Sequence, residues 1–218
     1  MKKKNSKTIL VALGTLVAFA LWTFLIRCVD VQPIGPNGSR VGFAAINGAF
    51  HALTGVHWAL YTLTDWLGLV PIGIALGFAV LGLVQLIRRK SLLKVDRDIL
   101  ILGGFYIVVL AAYLLFETVV INFRPVLIDG KLEASYPSST TMLALCVLPT
   151  AMIQLKTRIR GDAVRRAILG IFVAFTAVSY THLTLPTMHW LSDIVGGVLL
   201  SAGLVPLYAL AVKQRKNA

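Results

Sequence analysis

The sequence predicts an all-α protein, a bundle of six transmembrane helices forming one domain over residues 1–218, and three observations carry that prediction. The 218 residues are 57% hydrophobic and 14% charged, with a mean hydropathy of +0.82, which is more apolar surface than a soluble domain of this size can hide. The apolar residues gather into runs close to the roughly 20 residues needed to cross a bilayer core. The basic residues fall in short clusters on alternate connections between those runs, as the positive-inside rule requires.

The predicted spans are residues 9–26, 66–87, 99–119, 141–155, 164–181 and 191–212. The first follows Lys2, Lys3, Lys4 and Lys7 as a signal peptide would, but it is long and lacks a small-residue cleavage site before Arg27, so it reads as a retained span. Gln32-Pro33-Ile34-Gly35-Pro36-Asn37-Gly38 is rich in turn formers and predicts an outer loop. Residues 41–64 are apolar but interrupted by Asn47, His51, Thr54, Gly55 and His57, which predicts interfacial helices lying along the membrane. His51 and His57 read there as interfacial or packing residues. Gly73 and Gly77 make a small-xxx-small pair in the second span, the pattern of a helix contact.

If each span crosses once, seventeen of the 21 basic residues lie on one face, and Arg27, Arg40, Arg124 and Lys131 lie on the other. That bias predicts cytoplasmic termini, with Arg124, Pro137 and His189 on the outer face. The formal net charge of +12 is then a topology signal, and nucleic acid is not an expected partner. Cys28 and Cys146 sit at a span end and inside a span, so neither a disulfide framework nor a cysteine metal site is expected.

Three segments carry chemistry. Met188-His189-Trp190-Leu191-Ser192-Asp193-Ile194-Val195-Gly196-Gly197 sets a histidine and an aspartate four residues apart, on one face if the segment is helical. A carboxylate beside an imidazole fixes its tautomer and leaves the other nitrogen free to attack an electrophile; the plainer reading is a histidine capping a membrane helix. Arg124-Pro125 follows the third span, and a guanidinium held in place fits phosphate oxygens; the plainer reading is an arginine snorkelling to the interface. Pro137-Ser138-Ser139-Thr140 opens the fourth span as an N-cap, and the free amides of a helix start also bind anions.

Arg-Pro, then Pro-Ser-Ser-Thr opening one helix, then His-x-x-x-Asp opening another, all on one membrane face, resemble the type 2 phosphatidic acid phosphatase (PAP2) family. The resemblance covers the six-span layout and implies a bundle of the PAP2/haloperoxidase-like type. It implies metal-independent hydrolysis of a membrane lipid phosphate or diphosphate, without cofactor, at the outer face of a bacterial-type cell membrane. His189 takes the role of the nucleophile that forms a phosphohistidine, with Asp193 as its orienting acid. Arg124 takes that of the phosphate clamp, and Ser138 with the backbone of Ser139 that of the N–H cradle; Thr140 and Lys131 are weaker candidates for the phosphate site.

The chain departs from the family pattern at three places: Glu117 stands at the position of the family's first-motif lysine, Thr140 at its second-motif histidine and Leu183 at its third-motif arginine. A threonine cannot protonate a leaving oxygen near neutral pH, and a phosphate leaving group needs that help less than an alkoxide does. A lipid diphosphate is therefore the expected substrate over a phosphomonoester. Val178-Ser179-Tyr180-Thr181-His182-Leu183-Thr184-Leu185-Pro186-Thr187 looks like the translation of a transposon-type sequencing adapter, which would have overwritten the arginine half of the third motif. Two other readings are a non-catalytic relative that binds a lipid phosphate through Arg124 and the Ser138 helix start, and a small transporter. Ionisable residues at span ends rather than mid-bilayer speak against the transporter.

Overall fold

The computed structural model describes residues 2–159, 161–184 and 188–215, with residues 2–4, 60, 64, 175–184 and 214–215 described by backbone alone. Residues 185–187 of the adapter-like run and the side chains of 178–184, Leu183 among them, lie outside this description. Seven α-helices follow in order among the described residues: α1 (Lys2–Cys28), α2 (Ala44–Thr54), α3 (Trp58–Arg89), α4 (Arg97–Thr118), α5 (Ser139–Arg158), α6 (Asp162–Thr184) and α7 (Leu191–Arg215). Extended pairing among the described residues is limited to isolated bridges, so the fold is all-α as predicted. Five helices, α1, α3, α4, α5 and α7, are long and apolar enough to cross a membrane, and α6 with its 23 residues is the sixth long helix. The chain is a multi-pass membrane protein.

Helix α3 begins at Trp58, well before the expected residue 66, so the segment 41–64 divides between α2 and the first turns of α3. Gly55 causes the division: its φ of 65° ends α2 in a conformation that favours glycine, and the chain restarts as helix at Trp58. The 32 residues of α3 would span about 48 Å at about 1.5 Å per residue, against a hydrocarbon core of about 30 Å. Its first turns, with Trp58, Tyr61 and Trp66, thus have the length and the aromatic residues to stand at the interface. Among the described residues Gly73 and Gly77 form no helix contact, since a Cβ placed on either meets nothing within 4 Å.

The core lies between α4, α5 and α7, where Leu102, Phe105 and Val109 pack with Met142, Cys146, Leu200, Tyr208 and Val212. Helix α5 also touches α3 and α6. This central position explains why the fourth span looked short: α5 is the least apolar of the five spanning helices, because a helix enclosed by protein can carry Thr150 and Gln154 where lipid-facing helices cannot.

The antiparallel course of α4 and α5 gives the bundle two different ends. At one, Arg158 at the end of α5 pairs with Asp98 (2.9 Å) and Asp96 (3.3 Å) at the start of α4, and Asp96 also pairs with Arg89 (2.8 Å). At the other, the end of α4, the start of α5 and the start of α7 converge. Gly196 and Gly197 permit that convergence: a Cβ on Gly196 would lie 2.4 Å from the Tyr136 ring, and one on Gly197 3.1 Å from the Ser138 carbonyl oxygen.

Candidate active site

The connection from α4 to α5 folds back on itself as a hairpin. Asp129 and Gly130 both take positive φ, 49° and 73°, the two-residue turn that Asp-Gly favours, and Ile128 and Lys131 bridge across it. Farther up, the Arg124 amide donates to the Glu133 carbonyl (2.9 Å) and the Ser135 amide to the Asn122 carbonyl (3.0 Å). These rungs aim Asn122, Arg124 and Ser135 at the start of α7. Arg124 therefore stands six residues beyond the last residue of α4 rather than at the span end, held by hairpin pairing and not by a helix that Pro125 stops.

His189 lies in the bend before α7, only 8% exposed. Its Nδ1 is 3.0 Å from the Ser135 carbonyl oxygen. A carbonyl only accepts, so Nδ1 carries the proton and Nε2 the lone pair. Nε2 faces Arg124 Nη1 at 3.3 Å, and the same Nη1 lies 3.4 Å from the Met188 carbonyl oxygen. Burial, and secondarily the Arg124 cation, push the His189 pKa down from 6.5 to about 3, so the ring is neutral at physiological pH. Arg124 Nε lies 3.2 Å from Glu133 Oε2 at an angle that makes no hydrogen bond, which leaves this buried N–H without an acceptor among the described residues.

The expected direct pairing of His189 with Asp193 is not what the structure shows. The four-residue spacing would put both on one helical face, but α7 starts at Leu191, so His189 precedes the helix and its ring turns to Ser135 instead. Asp193, fully buried, accepts from Asn122 Nδ2 (2.8 Å), Ser135 Oγ (2.7 Å), the Trp190 amide (3.2 Å) and Ser192 Oγ (3.3 Å). The bond to the Trp190 amide is the backward half of a capping box, an acid in the first turn satisfying the N–H of the residue before the helix. Asp193 thus reaches the His189 ring through Ser135, whose hydroxyl holds the carboxylate while its carbonyl holds the ring, and the His189 backbone through the Trp190 amide.

Ser135 and Asn122 are the residues that sequence reasoning missed. Asn122 stands two residues before Arg124 and Ser135 two residues before Pro137, but only the hairpin rung that brings them together gives them a role. The network extends to α2 through Asn47, which is 1% exposed; its Nδ2 donates to Ser192 Oγ (2.9 Å), and its Oδ1 accepts from the Ser192 amide (3.1 Å). His51 packs on Trp190 with ring centroids 5.6 Å apart, and Trp190 Nε1 donates to the Phe123 carbonyl (2.7 Å).

The other candidates are placed unequally. Ser138 is fully buried and occupied by the helix start: its amide donates to the Asp193 carbonyl (3.0 Å), and its hydroxyl accepts from the Thr141 amide (3.4 Å) and the Thr141 hydroxyl (3.0 Å). The N–H groups left for a ligand are those of Ser139 and Thr140, in the first turn of α5, where no intrahelical acceptor exists. Thr140 turns its methyl group toward Gly68 of α3. Lys131 is exposed beside the hairpin turn, and its side chain makes none of the cluster's bonds. Glu117 lines a narrow cleft of about 10 Å³ together with Tyr113, Ser135 and Ser139.

No family model matches the chain, and no curated protein sequence matches it. Among solved structures it is similar to the crystal structure of the first transmembrane PAP2-type phosphatidylglycerolphosphate phosphatase from Bacillus subtilis. The two are 17% identical, the likeness covers 94% of this chain and 96% of that one, and the TM-score is 0.58. At this identity the likeness concerns architecture alone, and the architecture of this chain is a PAP2-like transmembrane fold.

Proposed function

We propose that the chain is a membrane phosphatase of the PAP2 type that hydrolyses a lipid phosphate or diphosphate through a phosphohistidine, without a metal ion, at the outer face of the membrane. One observation carries the reading: a buried, neutral histidine whose unprotonated Nε2 lies 3.3 Å from a guanidinium. The unsatisfied Arg124 Nε–H and the open amides of Ser139 and Thr140 supply the donors that phosphate oxygens require.

In this mechanism Arg124 and the α5 start hold the phosphoryl group while His189 Nε2 attacks phosphorus. The bond from phosphorus to the leaving oxygen breaks, and that oxygen departs with the electron pair, as part of the lipid monophosphate when the substrate is a diphosphate. The imidazole keeps its Nδ1 proton on the Ser135 carbonyl, so the phosphohistidine forms without a proton leaving the ring. Water then attacks phosphorus, the Nε2–P bond breaks, and inorganic phosphate is released with the ring restored. Asp193 acts at one remove, fixing Ser135 and Asn122. Thr140 offers no acid for the leaving group, so a polyprenyl-type diphosphate suits the site better than phosphatidic acid.

The experiment measures phosphate release in detergent with EDTA from a polyprenyl diphosphate and from phosphatidic acid. It compares the chain as it stands with His189→Ala and Leu183→Arg variants. Release that disappears in His189→Ala and rises in Leu183→Arg supports the reading. Lipid-phosphate binding that survives His189→Ala, with no release from any variant, favours the non-catalytic binding relative instead.

A further inference from the structure

The residue facing Arg124 across the hairpin is an acid, and its position is fixed by the backbone. The Arg124 amide donates to the Glu133 carbonyl at 2.9 Å, one rung from the Phe123–Ala134 bridge, so the two side chains are held as cross-strand neighbours. Glu133 Oε2 lies 3.2 Å from Arg124 Nε, and the two side chains are unequally exposed, 16% for Arg124 and 44% for Glu133. Arg124 is anchored on its Nη1 side by Met188 and His189. Among the described residues the carboxylate has no such anchor: its contact with Nε is an ion pair without hydrogen-bond geometry. The geometry is that of a fixed cation and a movable anion.

We infer that Glu133 is a built-in competitor for the phosphate group, a residue that lowers the affinity of the Arg124 site for anions. The inference rests on the reading of Arg124 as the phosphate clamp. A phosphate oxygen approaching Nε must displace the carboxylate or sit beside it, and both routes weaken binding of substrate and of inorganic phosphate alike. Because the guanidinium is already paired before substrate arrives, only ligands with enough charge to outcompete a carboxylate are retained. The same competition speeds release of the product phosphate, which lacks the lipid's additional contacts. A partly exposed ion pair contributes up to about 1 kcal/mol, so its removal should change phosphate affinity about fivefold.

The test measures binding of inorganic phosphate and of pyrophosphate to the detergent-solubilised full chain by calorimetry, with lipid-diphosphate turnover measured in parallel. The proteins are the unmodified chain and its Glu133→Gln, Glu133→Asp and Arg124→Ala variants. Glu133→Gln keeps the size of the side chain and removes its charge. It should bind phosphate about fivefold more tightly and lower KM for the lipid by a similar factor without raising kcat, whereas Glu133→Asp should remain close to the parent. Arg124→Ala should lose binding. Unchanged or weaker phosphate binding in Glu133→Gln overturns the inference, whether or not the lipid is turned over. Tighter binding that depends on Arg124, with no turnover in any variant, sustains the inference and defeats the phosphatase reading. A lower thermal midpoint without an affinity change marks Glu133 as a hairpin staple only and also overturns it.

Discussion

Replacing Ser135 with alanine removes one hydroxyl and leaves untouched the main-chain carbonyl that holds His189. The hydroxyl is 2.7 Å from Asp193 Oδ2, and both residues are nearly inaccessible, 2% and 0% exposed. A hydrogen bond to a charged group contributes about 1.5–3 kcal/mol to stability. Asp193 keeps Asn122, the Trp190 amide and Ser192 as donors, so the loss should lie near the middle of that range, about 2 kcal/mol. The catalytic consequence is indirect: the Ser135 carbonyl, no longer tied to Asp193, orients the imidazole less sharply. If about 1.4 kcal/mol of the loss appears in the barrier, kcat falls about tenfold with little change in KM. Lipid-diphosphate turnover should be followed in Ser135→Ala, Asp193→Asn, the double variant and Ser135→Thr. Two groups acting through one bond are not additive, so the double variant should be no slower than Asp193→Asn alone, and Ser135→Thr, which keeps the hydroxyl, should recover most of the rate. Additive losses, or a Ser135→Ala protein as fast as its parent, would refute the relay from Asp193 through Ser135 to His189.

Because His189 is held neutral with a pKa near 3, kcat/KM should show no acid limb near pH 6.5, and a limb centred there would contradict the proposed role of His189 as a buried, neutral nucleophile. The same shift sets a stability trend. Between pH 6.5 and about 3 the unfolded chain binds a proton on this ring that the folded chain does not, so this group lowers stability as pH falls through that window and has no effect above it; thermal unfolding of the parent against His189→Gln over pH 4–8 measures the difference. Gly196→Ala drives a methyl group to 2.4 Å from the buried Tyr136 ring and should destabilise the fold by about 1–3 kcal/mol, seen as a lower thermal midpoint. Asn47→Ala cuts the bonds from α2 to Ser192 and to the Gly42 carbonyl; faster proteolysis within residues 44–54 is expected, and unchanged protection would show that α2 is held by other contacts.

The amino-acid order alone determined the fold class, because membrane crossing is a matter of length, hydropathy and charge placement, all one-dimensional quantities. It also brought Arg124, the Ser138 segment and His189 to one end of the bundle, since helices of one span length with alternating direction leave little choice. What it could not determine was which polar group meets which. The i,i+4 rule pairs His189 with Asp193 only inside a helix, and the helix begins two residues too late for that. The ring therefore meets a carbonyl from a segment 54 residues earlier in the chain, a contact that leaves no pattern in sequence because any residue type can supply a carbonyl. The role of Ser138 was half legible in the same way. A helix start with a hydroxyl cap was readable from Pro-Ser-Ser-Thr, but that its amide would be consumed by the Asp193 carbonyl depends on the approach of α7, which Gly196 and Gly197 permit. The Glu133–Arg124 pair was hidden for a third reason: the Phe123–Ala134 pairing is offset by two residues from the Ile128–Lys131 bridge beside the Asp129-Gly130 turn, and no alternation in so short a hairpin announces that offset. Tertiary structure decided the contacts because hydrogen-bond partners are chosen by distance across the fold, and distance across the fold is what a linear pattern does not contain.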